Sequence, residues 1–440
     1  MVEEISHRMK RKAAFWGLGG LAAGFAAAVA WKRRSRGLDF RDSKYLLPSR
    51  EKESSRERIR RNVEGFYGIG PRMAGSPGER EARERILAAF SLIGLAEVKT
   101  ERVPVLDWSG LAHLSQDERF FEAIPFGGTR SVRCEGMAVD VGYGRPEDYA
   151  GLSRKDLLGR VHLASVGETH RAQKYIQAML HGAKALILCH NEPREGKVDF
   201  VEIGMGLPLM PIPAVSVSFE TGRILKENPR PLVIEIEAER KFCWTYNVTG
   251  IVKGRTSKEV LIGAHFDSWN GGAYDNASGL AALLEVAASF QKRPAFRTLR
   301  FTAFTAEELT MQGSLWSCLL HPKRLLATSA MVNFDALGVR EGKTYLNCPA
   351  RLEERIRELP AFQRFSSLTG HKIEFLSPPL VFSDLIWYHL VGIPCAWNVD
   401  LPVVEYHTPS DTPAILDYEL LEAEIDLSRE IADFFANSRR

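Results

Sequence analysis

No two of the six cysteines (Cys134, Cys189, Cys243, Cys318, Cys348 and Cys395) form a CxxC pair or stand at zinc-finger spacing. That removes thiolate metal sites and CxxC redox chemistry from consideration. HExxH, GxSxG and a phosphate-binding loop are also missing, so zincin, serine hydrolase and nucleotide-dependent readings lack support. Net charge is small, +3 from 58 Lys and Arg against 55 Asp and Glu, too little to mark a partner of nucleic acid,. No internal repeat is evident. Uncharged apolar runs of membrane-spanning length are absent with one exception, residues 13–31 (AAFWGLGGLAAGFAAAVAW).

As a helix that run would be ~28 Å long at ~1.5 Å per residue, close to the ~30 Å hydrocarbon core. Lys10 to Lys12 precede it, Lys32 to Arg34 follow it, and Trp16 and Trp31 sit near its ends, where indoles favour the interface. The expectation is an uncleaved single-pass transmembrane helix. Ala28-Val29-Ala30 resembles a signal-peptide cleavage site, but the basic run behind it opposes export. Basic residues on both sides leave the orientation open.

The remaining length suggests two folded units. From Ser55 the sequence reads as two helices around a Gly/Pro-rich loop; Ala82, Ile86, Ala89, Phe90 and Ile93 recur at helical spacing and Gly94 is a stop,. Residues 110–240 read as a small, mostly β module with one helix at about Ala172–His181,. From Tyr246 onward strands alternate with helices, with a helix expected directly after Glu308. This rhythm implies an α/β fold, a mainly parallel central sheet with helices on both faces,.

Polar residues gather where these strands end, the place where α/β sheets put their ligands. His265 and Asp267 follow one strand, and Asp275 opens the next helix. Glu307 and Glu308 end the second strand, Asp335 ends the third, and Tyr406, His407 and Asp411 lie in a late loop. Singly, such an Asp is a helix cap and such a His a structural residue. Together, two imidazoles and several carboxylates without thiolates make a nitrogen and oxygen set suited to zinc, cobalt or manganese. Two cations sharing a carboxylate could activate a water against a carbonyl.

The strings AHFDSWNGGAYDNASGLAALLE, FTAFTAEEL, NFDALG and YHTPSDTP, with GPRMAGSPGE upstream, resemble the M28 family of zinc aminopeptidases and carboxypeptidases. LLGRVHLASVG, HGAKALILC and IPAVSVS resemble a protease-associated (PA) domain inserted in that fold. The resemblance implies two zinc ions: one on His265 and Asp335, one on Glu308 and His407, with Asp275 bridging. It makes Glu307 the general base, Asp267 the carboxylate that orients His265, and Tyr406 a partner of the oxyanion. One departure is Tyr274, where some relatives carry an acidic residue.

The organisation expected is therefore a basic tail (1–12), a transmembrane helix (13–31) and a linker (32–54). A catalytic domain follows in two parts (55–109 and 241–440), with the PA-like domain (110–240) between them. The function implied is removal of N-terminal residues from peptide substrates by a membrane-anchored zinc exopeptidase. Glutaminyl cyclisation, carboxypeptidase activity and a non-catalytic receptor are the alternatives, and a homo-oligomer is left open. Two glycosylation sequons, at Asn247 and Asn276, are weak signals, and Asp384 in SDLIWYHLVGIPCAW has no assigned role.

Overall fold

The computed structural model describes residues 54–191, 210–291, 295–376 and 382–438. Segment 13–31 lies outside them, and among the described residues no helix is long and apolar enough to cross a membrane.

Helix α1 (Ser55–Tyr67) starts in a capping box, where Ser54 accepts from Glu57 N and the Glu57 carboxylate accepts from Ser54 N,. Helix α2 (Pro77–Ile93) has Ser76 as its cap, proline in its first turn, and Gly94 closing it at φ 87°,. Their apolar stripes, Ile59, Val63 and Phe66 on one and Ala82, Ile86 and Phe90 on the other, enter the main core with residues from 248 to 436. The chain before the insertion therefore folds as part of the same lobe as the chain after it.

Two strands of unusual length join that lobe to the insertion. β1 (Ala96–Gln116) and β7 (Pro231–Val252) pair antiparallel over most of their length. The second of these is exposed or half-buried through its middle, from Glu237 to Trp244. Between them lie β2 (Arg119–Pro125), β3 (Val132–Asp140), β4 (Val161–Ser165), helix α3 (Arg171–Leu180), β5 (Ala185–Cys189), β6 (Ala214–Val217) and helix α4 (Phe219–Glu227). The pairings β1-β2-β6-β5-β4-β3-β7 close on themselves through β1–β7. Leu114, Phe121, Cys134, Leu163, Ile187, Val215 and Ile234, one from each strand, meet in one apolar cluster. The β3-β4-β5-β6 run is parallel and helices are interspersed, so the module is more α/β than the mostly β reading expected.

The larger lobe continues with β8 (Thr256–His265), helix α5 (Ser278–Phe290), β9 (Arg297–Phe304), helix α6 (Gln312–Leu320) and β10 (Thr328–Phe334). After these come β11 (Lys343–Asn347), helix α7 (Pro360–Thr369), β12 (Glu374–Leu376), β13 (Cys395–Leu401) and helix α8 (Tyr418–Asn437). Its sheet runs β1-β7-β9-β8-β10-β13-β11-β12. The centre, β9-β8-β10-β13, is parallel, while β7 and β11 join it antiparallel. The expected mainly parallel sheet is thus a mixed sheet with a parallel heart. Helix α6 begins at Gln312, three residues later than expected, because Ala306, Thr310 and Met311 take left-handed backbone values. Asn247 and Asn276 are fully buried, so neither sequon is open to a glycosyltransferase in the folded protein.

Candidate active site

Each of the four parallel strands releases its chain at the same edge, and each release carries a candidate residue. His265 is the last residue of β8, Glu307 and Glu308 follow β9, Asp335 follows β10, and His407 lies in the loop after β13. Asp275 stands between the imidazoles: Oδ1 is 3.0 Å from His265 Nε2 and Oδ2 is 2.9 Å from His407 Nε2. Asp335 Oδ1 is 3.4 Å from His265 Nε2, and Glu308 Oε2 is 3.0 Å from His407 Nε2. Two triads result, His265-Asp275-Asp335 and Asp275-Glu308-His407, each with its donor atoms within 4.8 Å of one another. All five side chains are buried.

Local chemistry holds these loops. Asp267 Oδ1 and Oδ2 each accept, at 3.0 Å, the main-chain N–H of Glu307 and of Glu308. Its carboxylate therefore fixes the glutamate loop, while His265 Nδ1 faces the Asp267 carbonyl at 3.1 Å and the carboxylate only at 3.6 Å. Asp411 does the same for the bridging residue, accepting from Tyr274 N at 2.7 Å and Asp275 N at 3.0 Å. Ser383 donates to Asp335 Oδ2, and the Trp269 indole N–H donates to Glu308 Oε2 at 2.9 Å. Fully buried Arg72 donates to carbonyls of Phe66, Gly70, Phe266 and Gly271 at 2.6 to 3.2 Å. His407 itself (φ 59°), Ala306 and Ala336 (φ 62°) hold left-handed backbone without being glycine. Such strain costs about 1–3 kcal/mol per position and concentrates where a side chain must be aimed.

The electrostatics favour a cation. Burial, reinforced by neighbouring carboxylates, pushes Glu307, Glu308 and Asp335 above the usual carboxylate range. Burial opposes charge on His407 too, yet Glu308 and Asp275 outweigh it and lift the imidazole to about 9; His265 is raised in the same way by Asp335. Asp275, squeezed between them, is held low. Protons on the two imidazoles are what balance this many buried carboxylates. Glu308 Oε1 is buried without a hydrogen bond and Asp275 Oδ1 has only the His265 imidazole 3.0 Å away, oxygens that cost free energy unless something else satisfies them. Divalent cations within the two triads would take the place of the imidazole protons and meet those oxygens. The residues fit metal ions.

Glu307 is only partly buried and acts electrostatically on His265. Tyr406 stacks on the His407 ring at 3.9 Å and receives a hydrogen bond on its hydroxyl from Arg171 Nη2 at 3.2 Å. Every residue singled out in the sequence is thus brought to one place. Sequence reasoning missed Arg72, Trp269, Ser383 and Arg171. The first three lie within strings quoted above, but nothing in spacing reveals a main-chain staple. Arg171 comes from the PA-like module, 235 residues from its partner, and no local pattern announces it. Asp384, left unassigned, is fully buried near Glu307 and Asp335, and burial raises its carboxyl to about 8.

Residues 247–432 match the family described as Peptidase family M28, and residues 129–225 match the PA domain. Aminopeptidase YwaD of Bacillus subtilis is 27% identical over 383 residues, spanning 82% of this chain and 80% of that protein. The solved zinc aminopeptidase of Bacillus subtilis superposes with a TM-score of 0.68 at 25% identity, covering 89% of this chain and 97% of that one. An aminopeptidase structure from Aneurinibacillus sp. strain AM-1 follows with a TM-score of 0.61 at 26% identity, over 87% and 94% of the two chains. The M28 match over residues 247–432, the PA-domain match over 129–225 and the likeness to these aminopeptidases together make the protein a metallopeptidase.

Proposed function

We propose that the protein is a two-zinc exopeptidase, an aminopeptidase that removes N-terminal residues from peptides. The observation that carries the reading is Asp275, one carboxylate with an oxygen toward each of two imidazoles. His265 and Asp335 would hold one ion and Glu308 and His407 the other, with Asp275 common to both; cobalt or manganese are chemically acceptable substitutes. A zinc pair supplies polarisation of the scissile carbonyl and makes water acidic enough to serve as a nucleophile near neutral pH.

The chain supplies the rest. Glu307 takes the proton from the attacking water and returns it to the leaving amine, work for which a carboxyl raised by burial is suited,. Asp267 keeps Glu307 and Glu308 aimed apart by holding both of their N–H groups. Because Arg171 donates to the Tyr406 oxygen, the phenol proton remains for the developing oxyanion, and burial keeps that phenol protonated,. Hydrolysis of aminoacyl chromogenic substrates with and without a chelator tests the reading, and turnover that survives complete metal removal would end it.

A carboxypeptidase reading has one observation behind it. Arg171 is a half-buried guanidinium that donates to Tyr406, a charge suited to a substrate carboxylate. Peptides blocked at the amine or at the carboxyl separate the two modes. A purified protein that binds no zinc would instead support a receptor. We also propose that residues 13–31 anchor the chain in a membrane.

A further inference from the structure

Where the two lobes face each other there is a cavity of about 520 Å³, a volume within the usual range for ligand sites. Met73, Trp108, Ile124, Pro125, Cys243 and Trp269 are its apolar walls, and Asp107 and Lys241 also line it. Two indoles face into it, each fixed by its own N–H. Trp108 donates to the Thr129 carbonyl of the PA module at 2.8 Å, and Trp269 donates to Glu308 at 2.9 Å. Gly110 is needed for the first of these, since a Cβ there would stand 2.6 Å from the Trp108 ring. Trp269 thus both lines this cavity and donates to a residue of the candidate metal cluster.

We propose that this inter-lobe cavity is a substrate subsite that accepts a large apolar or aromatic side chain of the bound peptide, with Trp269 as the wall it shares with the catalytic centre. The inference rests on the exopeptidase reading for the identity of its occupant. Anchored indole faces and the Met73 and Ile124 side chains offer stacking and dispersion to an aromatic ring.

The holoenzyme carries its own reporter. Cys243 lines the cavity and is half-buried, whereas the other five cysteines are buried. The measurement is the rate of Cys243 alkylation by N-ethylmaleimide in the presence of N-acetylphenylalaninamide or N-acetylalaninamide, with Cys243→Ser as the blank. In parallel, kcat/KM is compared for tripeptides carrying Phe or Ala at each position in turn, in wild type, Ile124→Arg and Ile124→Phe. The phenylalanine amide is expected to slow alkylation and the alanine amide to leave it unchanged. Both Ile124 variants are expected to lower the Phe-over-Ala preference at one position by about tenfold or more. Protection without any cleavage would keep the subsite and sink the peptidase reading. Cleavage with no protection and an unchanged preference would overturn the subsite, and failure of both readouts would overturn both.

Discussion

Replacing Arg72 with methionine keeps the length and the apolar stem of the side chain and deletes its donors. Five carbonyls then lose a partner: those of Gly271, Phe266, Phe66 and Gly70, and the more distant one of Gly272 at 3.5 Å. A hydrogen bond from a charged donor contributes ~1.5–3 kcal/mol net, so the shortest three alone would total ~4–9 kcal/mol. Burial of the ion offsets part of this; the same burial lowers the guanidinium pKa to about 10. The remainder is ~3–5 kcal/mol, the usual range for removing one side of a buried charged contact. For a lobe of roughly 250 residues, each kcal/mol corresponds to about 2 °C in Tm, which gives a fall of about 6–10 °C by differential scanning fluorimetry of the metal-loaded protein. Since the loop from Phe266 to Gly272 leads to Asp275, the variant should also lose zinc to a competing chelator sooner than wild type. Arg72→Lys should recover only a fraction, because one ammonium cannot reach carbonyls on two separate loops. A Tm within about 2 °C of wild type and unchanged zinc retention would refute this account of the staple.

Three other outcomes are expected. Glu307→Gln should lower kcat by about 10²–10⁴ while zinc content stays at the wild-type level; retained activity would remove Glu307 from the proton transfers. Asp400 and Glu424 are buried carboxyls that both accept from Gly338 N–H, and burial raises both above their usual values. Their folded forms thus hold protons that the unfolded chain releases above its ordinary carboxylate range, so stability falls as pH rises, by up to ~1.4 kcal/mol per pH unit for each proton. Thermal scans from mildly acidic to mildly alkaline pH should show a shallower decline for Glu424→Gln than for wild type, and parallel slopes would contradict this. Finally, the full chain should stay with membranes through high-salt and carbonate washes, and recovery in the supernatant would dismiss the anchor.

The candidate site was more legible in the sequence than the fold around it. His265, Asp275, Glu308, Asp335 and His407 announce themselves because metal-binding side chains are chemically unusual at strand ends, and five of them occur in a row. Positions fixed by main-chain hydrogen bonding carry no such mark. The resemblance gave Asp267 the His265 imidazole to orient and left Asp411 without a role; that they hold the N–H groups of Glu307, Glu308, Tyr274 and Asp275 shows only in the structure. The long β1–β7 ribbon has no strand signal through its middle, which is exposed with Phe242 and Trp244 on the surface, so the alternation that marks a half-buried strand fails there. The delay of α6 to Gln312 follows from left-handed backbone at Thr310 and Met311, which residue preferences disfavour and packing around the glutamate loop imposes.

Zinc stoichiometry tests the central claim most directly. Full-length protein saturated with zinc and freed of excess should carry two equivalents by plasma mass spectrometry, about one in Asp335→Ala, and close to none in Asp275→Ala, the residue shared by both triads. A wild type that saturates at a single equivalent, or an Asp275→Ala protein that still holds two, would contradict the account.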